Sequence, residues 1–428
     1  MNIPHNPLNA GILALETYVP SFYVSQEEME QYHNISSGKL TKGLGQLEMG
    51  FCGDREDVNS LCLNAVSNLL KTHSIPPSQI GRLSVGTESS VDKSKSVKSV
   101  LMRLFTASSN TNIEGCDVIN ACYGATQALF DSIAWVESSS WDGRFAVVVA
   151  ADIAVYEEGP ARPTGGAGAV AVLIGPNAPL VISPVRYAYS SDAHDFYKPQ
   201  FSSEYPVVNG KTSIDSYLEA LSSCWTGFKE RFYSRYEEEI TMNGIDYFLF
   251  HAPFHKMVIK AVNKLIELEK EAGVEINDEN ELFASKVMPG QLLCQRVGNM
   301  YTASIFGALA SLLSNRKLKF KEGQRIAMFS YGSGLCSSMY MFTLQKPNDL
   351  FSFSTMALDL EYRLSTRELC SPEKFHEVLK CRDMLVRAVE YDDFTGYSPV
   401  QTEEEIPKGA YYLDFIDGSR ARSYTTRV

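Results

Sequence analysis

The sequence predicts an α/β fold built from two similar halves. Short β-rich runs alternate with helical patterns, the alternation occurs twice, and 428 residues with 44% hydrophobic content can bury a large core. The halves are expected to divide at residues 1–180 and 181–428. In the first half the runs are residues 83–87, 97–105, 118–119, 125–137, 145–155 and 167–174. Ala125, Ala128, Leu129, Ile133, Ala134 and Val136 recur at three- and four-residue steps, so residues 125–137 read as a helix that breaks at residues 138–140. Val118 and Ile119 before it read as a buried strand.

After a polar, aromatic stretch at residues 187–205 the theme repeats, with a β-run at 247–250, a helix over about 256–271, and runs at 303–313 and 326–329. An acidic segment, residues 271–289, reads as a surface excursion. Tyr411-Tyr-Leu-Asp-Phe415 reads as a strand closing one edge of a sheet. Cys122-Tyr-Gly-Ala125 and Tyr331-Gly-Ser-Gly334 both follow apolar runs and form a weak internal echo of the duplication.

Composition narrows the class. No apolar run reaches the length of a membrane span, and residues 1–10 have neither the basic and apolar regions of a secretory signal nor any Arg or Lys, so cytosol is the expected compartment. The nine cysteines contain no CxxC pair, which indicates neither a disulfide framework nor a zinc ribbon. A net charge of −12 gives no general attraction for nucleic acid or membranes. An anionic ligand would need a local cluster of cations.

The order strand, Cys122, Tyr123, Gly124, helix places a thiol at the positive end of a helix, where the macrodipole lowers a cysteine's pKa. That pattern suits a covalent nucleophile; the alternative is a small packed hydrophobe. Glu88 follows the run 83–87, and open α/β sheets put their sites just past strand carboxyl ends. Partial burial would raise its pKa toward that of a general base, whereas a solvated loop position would leave it ordinary. His251 stands at the end of another β-run, as an acid, base or oxyanion donor or as a buried hydrogen-bonded histidine. His255 makes an HxxxH pair with it, but Pro253 lies between them and no third ligand is suggested, so no metal is expected.

Lys256 and Lys260 lie four apart and share a helix face with Lys264, either as counter-charge for a phosphate or as an ordinary solvated face. The run Lys93-Ser-Lys-Ser-Val-Lys98 reads as surface. The glycines of Gly332-Ser333-Gly334 allow a backbone N–H to be aimed at an oxyanion. Asn299 precedes a small-residue helix and either orients a carbonyl or caps that helix.

Taken together these residues resemble the active site of the eukaryotic-type 3-hydroxy-3-methylglutaryl-CoA (HMG-CoA) synthases. The resemblance extends to Gly43-Leu-Gly-Gln46, Met49-Gly-Phe-Cys-Gly-Asp-Arg-Glu-Asp57, Val85-Gly-Thr-Glu88, Asn120-Ala-Cys-Tyr-Gly124, Asp152-Ile-Ala-Val-Tyr156, Ala161-Arg-Pro-Thr-Gly-Gly166, Asp195-Phe-Tyr-Lys-Pro199, Ser203-Glu-Tyr-Pro206 and Gly298-Asn-Met-Tyr-Thr302. It runs from about Gly11 to Tyr424.

The resemblance implies a thiolase-type αβαβα fold in five layers, a homodimer, and no metal or organic cofactor beyond acetyl-CoA, acetoacetyl-CoA and CoA. By the same resemblance Cys122 is the acetyl-carrying nucleophile, Glu88 the base and His251 the group that orients the acetoacetyl thioester. Thr164, Ser213, Asn299 and Ser333 line the acyl pocket, Lys256 and Lys260 hold CoA phosphates, and residues 37–44 lie near the CoA entrance. Three positions depart from the family: Ala125 and Pro160 stand for its usual Gly and Asn, and His255 for a smaller or uncharged residue that would leave CoA binding independent of pH. A β-ketoacyl synthase type of condensing enzyme and a non-catalytic acyl-CoA-binding relative are the alternatives.

Overall fold

The computed structural model describes residues 9–200, 203–346, 351, 359–389 and 393–428. Residues 1–8, most of the segment read for targeting signals, lie outside the described residues. Nine strands form the central sheet: β1 (Gly11–Tyr18), β2 (Ile80–Gly86), β3 (Asp117–Val118), β4 (Phe145–Ala154), β5 (Gly166–Gly175), β6 (Leu180–Ser190), β7 (Tyr247–Phe250), β8 (Arg325–Gly332) and β9 (Cys336–Leu344). Their order is β7-β8-β9-β6-β1-β5-β4-β2-β3.

The duplication lies in the pairing. From β1 outward the neighbours are antiparallel to β5, antiparallel to β4 and parallel to β2; from β6 outward they are antiparallel to β9, antiparallel to β8 and parallel to β7. The halves meet where Gly11 and Ile12 pair with Val181 and Leu180.

The strand period of two builds five layers from this sheet. Along β4, Val147, Val149, Ala151 and Ile153 face an outer core with helix α1 (Val58–Thr72), while Ala146, Val148 and Ala150 face a central core. That central core holds helices α2 (Gly124–Val136) and α3 (Ser304–Leu313), and Leu249, Ile326 and Met328 enter it from the other half. Phe248, Phe250, Ala327 and Phe329 point the opposite way, against α4 (Gly210–Tyr236) and α5 (His255–Glu271). Strands buried on both faces cannot alternate polar and apolar residues. Hence β4 and β5 read as continuous apolar runs, each buried Val, Leu or Ile contributing roughly 1.5–3 kcal/mol.

Several expectations are corrected. Ile119 is 66% exposed and outside β3, so the run before Cys122 is a short edge strand rather than a buried one. Residues 271–289 do lie mostly at the surface, but they carry helical turns at Glu279–Leu282 and Phe283–Val287, and Lys286 donates to the carbonyls of Met242, Asn243 and Ile245. Tyr411–Asp417 is the middle strand of a separate three-stranded sheet, not an edge. The echo between Cys122 and Tyr331 is not the repeat, because Tyr331 lies within β8, whereas Cys122 precedes a central helix. The counterpart of Ala121-Cys122 is Tyr301-Thr302: Ala121 (φ 41°) and Tyr301 (φ 42°) each stand three residues before the first residue of α2 and α3.

Candidate active site

Two glycines let the start of α2 reach the place where the halves meet. A Cβ on Gly86, at the end of β2, would lie 2.1 Å from the Ala125 nitrogen, and one on Gly332, at the end of β8, would lie 2.6 Å from the Asn120 oxygen and the Tyr123 nitrogen. No side chain fits at either point, so both strand ends close on the helix terminus. The helix has no side-chain cap of its own at Tyr123. The cap comes from the other half, as Thr302 Oγ1 accepts the Ala125 N–H at 2.9 Å. Ala125 has helical backbone, so the methyl that replaces the family's glycine is accommodated.

Cys122 is buried at this junction, in a small cluster with Ala154, Tyr156 and Tyr301, against which Ala161 and Phe196 pack. Its Sγ donates to Glu88 Oε2 at 3.8 Å. The other Glu88 oxygen is held by Lys198 Nζ at 2.8 Å, and that ammonium sits 4.7 Å from the Tyr301 ring centroid. The thiol is not lowered as its place on a helix start predicts. Burial, then the carboxylates of Glu88 and Asp152, push it well above the ordinary value, against an opposing pull from Lys198.

Asp152 organises the base. Its Oδ1 accepts from the Glu88 N–H (2.8 Å), the Thr87 hydroxyl (2.8 Å) and the Ser89 hydroxyl (2.9 Å), and its Oδ2 accepts the Thr302 N–H at 3.0 Å. Burial and the nearby Glu88 carboxylate raise Asp152 to about 7. Burial works to lower Lys198, but Glu88 and Asp152 outweigh it and the ammonium is held above its ordinary value. Neither Lys198 nor Asp152 carries a role in the sequence reading. The signal for Asp152 is a single carboxylate inside an otherwise apolar run, and that for Lys198 is a cation amid aromatics in Asp195-Phe-Tyr-Lys-Pro199.

His251 follows β7, with its N–H donating to the Phe329 carbonyl at 2.8 Å and its own carbonyl accepting the Tyr217 hydroxyl at 2.8 Å. The imidazole is 2% exposed, and burial lowers it to about 3, so it is neutral at ordinary pH. Its Nδ1 has no hydrogen-bond partner among the described residues. Ser213, half-buried in the first turn of α4, lies one turn before Tyr217 and shares its helix face.

Asn299 braces the turn before α3, whose first residues have no side-chain cap. Its Oδ1 accepts the Tyr301 N–H at 2.9 Å and the Ser304 hydroxyl at 3.2 Å, which ties the turn that starts α3. Thr164 donates its hydroxyl to the Ala161 carbonyl at 2.7 Å, on the turn whose Ala161 packs by Cys122. Ser333 follows β8, and its carbonyl accepts from Asn120 Nδ2 at 3.3 Å, two residues from the nucleophile. Asp195 ties this loop to the Lys198 segment by accepting the Tyr331 hydroxyl (2.8 Å) and the Gly334 N–H (3.1 Å).

Lys256 and Lys260 open α5, and the Lys256 N–H donates to the Leu44 carbonyl at 2.9 Å. That bond brings the lysines beside residues 37–44, whose loop is gathered by the buried Glu30 carboxylate through the N–H groups of Gly38, Leu40 and Thr41. Neither lysine has an acidic partner among the described residues, whereas Lys264 pairs with Glu267. His255 is not a charge at this mouth. It is buried against Gly45 and bonded to Gln291 at 3.1 Å, and burial lowers its pKa. Pro160 is exposed on the turn before Arg162.

The chain matches known proteins along nearly its whole length. Residues 6–179 match the hydroxymethylglutaryl-coenzyme A synthase N-terminal family model, and residues 180–279 and 267–427 match the C-terminal one. The chain is 43% identical to the cytoplasmic hydroxymethylglutaryl-CoA synthase of Gallus gallus, covering 98% of this chain and 88% of that protein. It is 42% identical to the mitochondrial enzyme of Homo sapiens, covering 98% and 90%. Among solved structures it resembles MvaS in complex with 3-hydroxy-3-methylglutaryl coenzyme A, with a TM-score of 0.85 at 31% identity over 98% of this chain and 99% of that one. PksG, an HMG-CoA synthase from Bacillus subtilis, gives 0.84 at 26% over 98% and 100%. The thiolase-like α/β fold is shared with these structures, the matches run along nearly the whole chain, and the chain belongs to the hydroxymethylglutaryl-CoA synthase family.

Proposed function

We propose that the protein condenses acetyl-CoA with acetoacetyl-CoA and water to give HMG-CoA and CoA, a step of the mevalonate route to isoprenoids and sterols. The observation that carries this reading is the 3.8 Å contact between the Cys122 thiol and Glu88. The thiol holds its proton at rest, so it needs an acceptor at the moment of attack. That proton ends on the departing CoA thiolate as sulfur attacks the acetyl carbonyl, so acetyl transfer consumes no proton and does not require Glu88. Glu88 then removes a methyl proton from acetyl-Cys122, whose thioester carbonyl makes that proton acidic. The carbanion adds to the C3 carbonyl of acetoacetyl-CoA, and Glu88 gives the same proton to the new alkoxide. Water hydrolyses the Cys122 thioester, which restores the thiol and releases the carboxylate of HMG-CoA.

The remaining groups serve binding and charge. Neutral His251, with Nδ1 unspent, hydrogen-bonds the acetoacetyl thioester, and the Ser333 N–H faces the enolate oxygen. Thr164, Ser213 and Asn299 line the acyl pocket. Lys256 and Lys260 supply the local positive site that an acidic protein needs for the phosphates of CoA. The chemistry needs no metal or organic cofactor, so a chelator leaves the rate unchanged. The working unit is a homodimer, which light scattering tests. Glu88→Gln is the discriminating variant: HMG-CoA formation collapses while acetyl transfer to Cys122 survives. A β-ketoacyl synthase type of enzyme would keep condensing without Glu88.

A further inference from the structure

Outside the groups used above, three elements converge on a cluster of two imidazoles, a phenol and a guanidinium. Tyr32 ends the helix Gln26–Tyr32 and His33 caps it, four residues before the loop at residues 37–44. His376 lies in the helix Pro372–Ala388, and Arg162 opens the turn Arg162–Thr164. The His376 ring stacks on Tyr32 with centroids 5.4 Å apart and meets His33 edge-on at 5.3 Å. Arg162 Nη1 lies 2.9 Å from His376 Nδ1, and Arg162 Nε donates to the Tyr156 carbonyl at 3.1 Å.

A guanidinium has no lone pair to offer, so Nδ1 of His376 must be the acceptor. The contact therefore exists only while His376 is neutral. Arg162 in turn fixes the segment between Tyr156 and Thr164, whose Tyr156 and Ala161 pack around Cys122. We infer that His376 is a positioning residue, a proton-sensitive latch that holds the Arg162 turn closed against the acyl pocket and frees it on acidification. The charged groups facing His376 are Arg162 and His33, which disfavour its protonation along with burial, and Glu158 and Glu373, which favour it; the balance lowers its pKa. Protonation would set an imidazolium against Arg162, with His33 beside it, in place of a hydrogen bond.

The inference rests on the proposed use of CoA thioesters for its kinetic readout, so a second readout is independent of activity. His376→Asn keeps an acceptor near the Nδ1 position and removes the titration, and His376→Leu removes both. In the wild type, the KM for acetyl-CoA rises about tenfold as pH falls from slightly alkaline to well below the ordinary histidine value of 6.5, as expected for loss of a charge-assisted hydrogen bond. Hydrogen exchange over residues 156–164, corrected for intrinsic rates, rises with it. His376→Asn holds both flat near the alkaline wild-type level, and His376→Leu holds both flat at the acidic level. If His376→Asn follows the wild type in exchange at every pH, the latch is overturned. Failure of the wild type to form HMG-CoA would count against the functional reading alone, since the exchange measurement still decides the latch.

Discussion

Lys198 Nζ lies 2.8 Å from Glu88 Oε1, while the other oxygen of the same carboxylate receives the Cys122 thiol. One ammonium thus serves a buried pair of carboxylates, because Asp152 holds the Glu88 backbone from behind. Lys198→Met removes that counter-charge and leaves volume and fold intact. kcat should fall about a hundredfold or more, as for the loss of a charge-stabilising group in a dry site, with an unchanged circular dichroism spectrum. An activity within twofold of wild type would show that Lys198 is only a salt bridge.

The pH response of His251 follows from its burial. Its folded value is depressed from 6.5 to about 3, so the stability it contributes is present above the unfolded value and lost as pH falls through the folded one. Between those limits the ring stays neutral in the folded protein. 15N NMR of the imidazole should show no protonation down to pH about 5. A titration near the ordinary histidine value would contradict the buried, neutral assignment.

Glu56 has the opposite sign. It is 1% exposed, accepts the Tyr18 hydroxyl at 3.1 Å, and burial raises it from 4.5 to about 7, although Tyr18 and Arg382 oppose that rise. A raised carboxylate contributes stability below the unfolded value that disappears as pH rises through the folded one. Glu56→Gln should therefore gain on the wild type as pH goes from about 4.5 to 8, by up to about 3 kcal/mol in urea unfolding. A difference independent of pH would remove the argument.

Gly86 tests the packing that delivers the nucleophile. An alanine there would put its methyl 2.1 Å from the Ala125 nitrogen, so Gly86→Ala should cost about 4 kcal/mol or more, or yield insoluble protein. Thr302→Val, which leaves the Ala125 N–H without its acceptor, should cost about 1–3 kcal/mol. Thermal melts separate the two outcomes.

Much of the first half was legible because strong periodicity and an apolar background coincide there. The helix at residues 125–137 appears as Gly124–Val136, and the run at 247–250 appears as Tyr247–Phe250. The long helix Gly210–Tyr236 was missed, since its buried Tyr217, Leu221, Trp225, Phe228 and Phe232 are diluted by charges on its wide exposed face. The helix Pro372–Ala388 was missed for the same reason, although Ser371 caps it through the Lys374 N–H. Cys122, Glu88 and His251 could be picked out because each stands at an element boundary. Asp152 and Lys198 could not, because their importance lies in contacts between segments distant in sequence.

The most direct test is peptide mass spectrometry of the protein incubated with acetyl-CoA alone. An acetyl group on the peptide containing Cys122, lost in Cys122→Ser and retained in Glu88→Gln, is the result expected. Formation of HMG-CoA by a wild-type protein whose Cys122 stays unmodified would contradict the covalent mechanism.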